Sequence, residues 1–131
     1  MFIDASALTA LMTNEADARE LLSRLQGAKT RLTSPLAVWE AAIAVARILD
    51  LPIAQAARAV EDYLDLIGID LVAVPPQAAA VALDAFDRYG KGRHPAKLNF
   101  GDCFAYACAR IHGQPLMFKG ADFPLTDIEA A

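Results

Sequence analysis

A chain of 131 residues, 56% hydrophobic and 21% charged, has the size of one domain and enough apolar surface for a core, which excludes disorder. No basic stretch precedes the apolar opening Phe2-Ile3 and no eighteen-residue apolar run follows, so a soluble cytoplasmic protein without signal peptide or membrane span is expected. The net charge of −4 runs against the basic balance of most nucleic-acid binders, but setting aside the four acids singled out below leaves 12 acids against 12 bases.

In chain order, Phe2-Ile3 predicts a short strand, and Ser6 a cap for a helix running to Leu11. A second helix is expected from about Glu15 to Gln26, stopped by Gly27. Arg31-Leu32-Thr33 predicts the next strand. Ser34-Pro35 is a cap followed by proline in the first helical turn, opening an alanine-rich helix to about Leu49. Pro52 opens another, to about Ile67. Ile69 to Val74 has strand composition and ends at Pro75-Pro76, after which a helix is expected from about Gln77 to Tyr89. Gly90 to Leu98 is a loop rich in basic residues. Asn99 caps a helix over Phe100 to Ile111, ended by Gly113, and Leu116-Met117-Phe118 is the last strand. This alternation predicts an α/β fold in a single domain, 1–131, with a mainly parallel central sheet of four to five strands flanked by helices.

In open parallel sheets ligands collect beyond the carboxyl ends of the strands, so acids at those ends carry information. Asp4 directly follows the first strand; helix capping is the plain alternative. Glu40 lies six positions past Ser34, too deep for a capping box, and its neighbours three and four residues away are Leu36, Ala37, Ile43 and Ala44. A carboxylate on that face is costly unless an ion pair, from Arg31 or Arg47, or a metal compensates it. Asp102 falls in the first turn of the Asn99 helix, where the helix dipole alone would favour it. Asp122 follows the last strand and is either a further ligand or a turn residue. Four carboxylates without histidine favour magnesium or manganese over zinc, and phosphodiester hydrolysis uses such a centre best.

Cys103 and Cys108 stand five residues apart, about 140° around a helix, and suit neither a mutual disulfide nor zinc; they are expected as buried hydrophobes. Arg88, Lys91, Arg93 and Lys97 put four cations in ten residues, as RNA-phosphate contacts or as a solvated loop. Trp39, beside Glu40, is expected in the core or at a dimer interface, with base stacking as the alternative.

The segments Phe2-Ile3-Asp4-Ala5-Ser6-Ala7-Leu8, Ser34-Pro35-Leu36-Ala37-Val38-Trp39-Glu40, Leu98-Asn99-Phe100-Gly101-Asp102-Cys103 and Leu116 to Ile128 together resemble PIN-domain toxins of the VapC type, in the family's order and spacing. The resemblance implies a PIN-like fold and a magnesium- or manganese-dependent endoribonuclease from a toxin–antitoxin pair. It implies Asp4, Glu40 and Asp102 as the acidic triad and Asp122 as a more variable fourth acid. Ser6 matches a supporting hydroxyl, and Asp127 is a candidate fifth contributor or a turn cap. A homodimer and a cognate VapB-like antitoxin are the implied partners. Two rivals stand beside this reading. A haloacid-dehalogenase-like phosphatase needs a second aspartate where this chain has Ser6, and a non-catalytic PIN-like binding module would not need all four acids.

Overall fold

The computed structural model describes residues 1–131, and its centre is an all-parallel sheet of four short strands. These are β1 (Phe2–Ile3), β2 (Leu32–Thr33), β3 (Asp70–Leu71) and β4 (Leu116–Met117), in the spatial order β3-β2-β1-β4. Phe2 pairs with Leu32 on one side and Leu116 on the other. The helices are α1 (Ala5–Met12), α2 (Ala18–Gly27), α3 (Pro35–Leu49), α4 (Ile53–Ile67), α5 (Ala78–Tyr89) and α6 (Phe100–Ile111).

Side chains alternate across a strand, and here both faces are covered. Phe2 and Leu116 enter a core built with Leu98, Tyr106 and Phe123 under α5 and α6. Ile3 and Met117 enter the opposite core with Leu8, Leu25, Val60 and Leu64, under α1 to α4. The free edge of β4 is occupied by the chain's own end: Leu116 N–H donates to Glu129 C=O and Ala131 N–H donates to Leu116 C=O. No helix is long and apolar enough to cross a membrane.

Three boundaries differ from expectation. Asp4, not Ser6, caps α1, because its carboxylate reaches the Ser6 N–H while Ser6 is already helical. The second helix opens at Ala18 rather than Glu15; Glu15 and Asp17 lie in the preceding turn. The strand expected over Ile69 to Val74 contracts to two residues. Its only partner, β2, ends at Thr33 because Ser34 caps α3, its Oγ accepting from Ala37 N–H at 3.2 Å, so no ladder exists for β3 to continue along. Cys103 and Cys108 are buried and unpaired, and burial pushes both thiols up to about 11. Trp39 is 65% exposed and forms no part of the core.

Candidate active site

Asp4 sits where β1 gives way to α1, at the carboxyl end of a central strand. Its Oδ2 accepts from Ser6 N–H at 3.0 Å and Ser6 Oγ at 2.5 Å, and Ser6 Oγ accepts in turn from Lys119 N–H at 3.0 Å. Ser6 thus ties the first carboxylate to the loop that leaves β4. Asp4 is 5% exposed, and burial pushes its pKa up against the pull of the Ser6 and Ala5 hydrogen bonds.

Asp102 is placed by a capping box: Asn99 N–H donates to Asp102 Oδ2 at 3.0 Å, and Asp102 N–H donates to Asn99 Oδ1 at 2.9 Å. As with Asp4, one carboxylate oxygen holds a helix start and the other takes no part in the cap.

Glu40 reaches the same place from the second turn of α3. It lies against the first turn of α6 so closely that a Cβ on Gly101 would stand 2.0 Å from its Oε1. Glycine at 101 is therefore what lets α3 deliver a carboxylate to the start of α6. Neither arginine considered as a partner pairs with it. Arg31 donates to the Ala28, Ile67 and Gln26 carbonyls, and Arg47 enters no ion pair.

Asp4, Glu40 and Asp102 line one open cleft of about 480 Å³, with Ser6, Glu15, Asn99, Arg47 and Lys119 around it. Burial and the charges of Asp4 and Asp102 push Glu40 up to about 7. Burial, then Asp4 and Asp122, push Asp102 up to about 6, although the Asn99 hydrogen bond opposes this. These acids repel one another without a balancing cation. Lys119, which also lines the cleft, is engaged by Glu15 and stands 3.5 Å from Asp17.

The fit to a divalent cation rests on this donor set: three carboxylates lining one cleft, two of them with pKa pushed up by burial and by mutual repulsion, with no histidine or thiol among them. The side chains are not closed around a common point as ligands. The set fits a hard cation chemically, in a cleft open enough for water and substrate to share.

The remaining candidates separate. Asp122 is exposed, opens a 3-10 turn without capping it, and is not among the residues lining the cleft, although its charge reaches Asp102. Asp127 is elsewhere: it accepts from Tyr106 Oη at 2.7 Å, Arg110 at 2.7 Å and Arg88 at 2.9 Å, and so clips the C-terminal segment to α5 and α6. Arg88 is committed to that clip and to Asp84, and Arg93 pairs with Asp87. Lys91, Arg93 and Lys97 share a polar hollow on the loop ahead of Asn99. The sequence reading missed Gly101, Arg47 and Lys119 as parts of the site. A glycine at the second position of a helix, where alanine is the better former, was the available sign for the first.

The PIN domain family model matches residues 1–129. Ribonuclease VapC of Mycolicibacterium smegmatis is 43% identical over 130 residues, covering 99% of this chain and 98% of the relative. Ribonuclease VapC30 of Mycobacterium tuberculosis is 42% identical over 128 residues, covering 98% and 95%. The crystal structure of Mycobacterium tuberculosis VapC20, described as a sarcin-ricin loop cleaving toxin, superposes with a TM-score of 0.76 at 20% identity, covering 99% of this chain and 97% of that one. With an all-parallel sheet, acids at its carboxyl edge and full-length relatives of this kind, the chain belongs to the PIN-domain family, among the VapC-type ribonucleases.

Proposed function

We propose that this protein is a metal-dependent endoribonuclease, the toxin of a type II toxin–antitoxin pair, which hydrolyses RNA phosphodiester bonds at the cleft of Asp4, Glu40 and Asp102. The observation that carries this is that three carboxylates, from the cap of α1, from α3 and from the first turn of α6, line one cleft with no arginine or lysine paired to any of them. Those three side chains would hold Mg²⁺ or Mn²⁺, with Asp122 as a fourth contributor. When bound, the cation supplies charge neutralisation at the phosphoryl group and an activated water. The chain's own residues set the stage for it. Ser6 and Asn99 fix Asp4 and Asp102 by their capping hydrogen bonds, and Gly101 leaves room for Glu40. Lys91, Arg93 and Lys97, on the loop leading to Asn99, are candidates to hold RNA phosphates beyond the cleft.

A homodimer is part of the proposal. Leu83, Phe86, Phe100 and Phe104 line an apolar hollow of about 410 Å³ between α5 and α6, and Trp39 is exposed nearby on α3, in a second hollow that shares Phe100. A contiguous apolar surface of this kind marks a protein contact. The VapB-like antitoxin follows from family membership.

Purified protein should cut single-stranded or structured RNA only with magnesium or manganese, and Asp4→Asn should lose the activity. Cleavage in excess chelator, or equal cleavage by the variant, would overturn the reading. A neighbouring reading frame for a small antitoxin, and growth arrest on expression without it, test the toxin assignment.

A further inference from the structure

We propose that Arg47 is a substrate-positioning residue that grips an RNA phosphate next to the one being cut; the inference rests on the ribonuclease reading above. Arg47 lies seven residues after Glu40 on α3, two helical turns or about 10 Å along the axis, on the same face. Ala44, one turn past Glu40, and Arg47 both line the carboxylate cleft. Of the two cations that line it, Lys119 is neutralised by Glu15 and Asp17, whereas Arg47 is exposed and enters no ion pair.

An exposed guanidinium in a cleft otherwise dominated by carboxylates has no structural partner to satisfy. It stays unpaired with Glu40 although both border the same space. Its five donors form a planar fork that matches phosphate oxygens, and it cannot lose its charge near neutral pH. Successive phosphates of one strand lie closer together than the axial spacing between Glu40 and Arg47, and the long, flexible side chains of both residues can take up the difference. A strand laid along α3 with one phosphate at the carboxylates would therefore bring a neighbouring phosphate to Arg47. The cation would also offset, for the incoming polyanion, the negative field of the acids that must hold the metal. The plain alternative is that Arg47, in the last turn of α3, serves only the helix dipole.

The two roles are separable by salt dependence. Binding of a fluorescein-labelled single-stranded oligoribonucleotide of mixed sequence is measured by anisotropy in manganese, from about 50 to 200 mM salt. Asp4→Asn protein is compared with Asp4→Asn carrying Arg47→Ala or Arg47→Lys. The alanine variant should bind about tenfold more weakly and lower the slope of log affinity against log salt by about one. The lysine variant should keep the slope and lose part of the affinity, since it keeps the charge but not the fork. An unchanged slope in Arg47→Ala, or a loss of affinity matched only by a lower melting temperature, overturns the proposal. Wild-type protein is assayed for cleavage of the same oligoribonucleotide in parallel. If it cleaves while the slope is unmoved, Arg47 alone is refuted. If no RNA is bound by any of the proteins, the proposal falls together with the ribonuclease reading.

Discussion

Gly101 bears on the proposed site because Glu40 occupies the space a side chain there would need. Gly101→Ala should leave the fold intact, since alanine favours the helix and Glu40 is flexible enough to swing aside. It should nevertheless lower RNA cleavage about 100-fold, the cost of moving a catalytic group by about an ångström. A melting curve close to wild type together with that loss is the expected pair of results; unimpaired cleavage would show that the position of Glu40 is not critical. Ser6 acts on Asp4 from one bond away. Ser6→Ala removes the 2.5 Å hydrogen bond and the link to Lys119 N–H, and cleavage or metal affinity should fall about 10- to 100-fold, as for other groups that orient a ligand. Both residues were visible in the sequence as letters of a motif, but only Ser6 as a functional group. The clash that makes Gly101 necessary comes from a residue 61 positions earlier in the chain, and no local pattern encodes it.

Helix starts do double duty in this molecule. Asp4 caps α1 and Asp102 belongs to the cap of α6, so the same carboxylates begin helices and face the cleft. Capping is the plain alternative to a site role for Asp4, and the helix dipole for Asp102, but the geometry leaves room for both uses: one oxygen caps while the other takes no part in the cap. The two functions should come apart in Asp102→Asn. Asparagine can still accept from Asn99 N–H, so stability in chelator should be preserved within about 1 kcal/mol. The rise in melting temperature on adding manganese should shrink strongly, because the ligand charge is gone; an undiminished rise would place the metal elsewhere. Asp127 shows the reverse case. The resemblance offered it as a contributor to the site, but it joins Tyr106, Arg88 and Arg110 across three segments. Asp127→Ala should loosen the C-terminal segment at a cost of about 1 kcal/mol, since the pairs are two-fifths exposed, and leave cleavage unaffected. The helices themselves were readable in advance because caps and prolines such as Ser34-Pro35 act within a few residues. β3 was not, since its length depends on where its partner β2 stops.

At the scale of the whole molecule, the carboxylate cleft sets up a conflict between stability and function. Glu40 is held up to about 7 and Asp102 up to about 6, both first by burial, against ordinary values of 4.5 and 3.8. In the unfolded chain these groups ionise at the ordinary values, so the folded state binds more protons between those values and the raised ones. Their contribution to stability is complete below about pH 4 and is lost as pH rises through 6 and 7. Asp127, lowered to about 2, contributes fully across that range and does not disturb the comparison. In chelator the melting temperature should therefore fall by a few degrees from pH 5 to pH 8. The double variant Glu40→Gln with Asp102→Asn should flatten this fall, which separates these two acids from the other titrating groups, Asp4 among them. Manganese should reverse the trend in the wild type, because a cation binds the ionised carboxylates and competes with protons for them. The metal-induced gain should be small at pH 5 and large at pH 8, and cleavage should rise over the same interval. A fall with pH that persists unchanged in the double variant would mean that Glu40 and Asp102 are not its source. Agreement would show that the acids are kept together at a cost in the metal-free protein that binding the cation relieves.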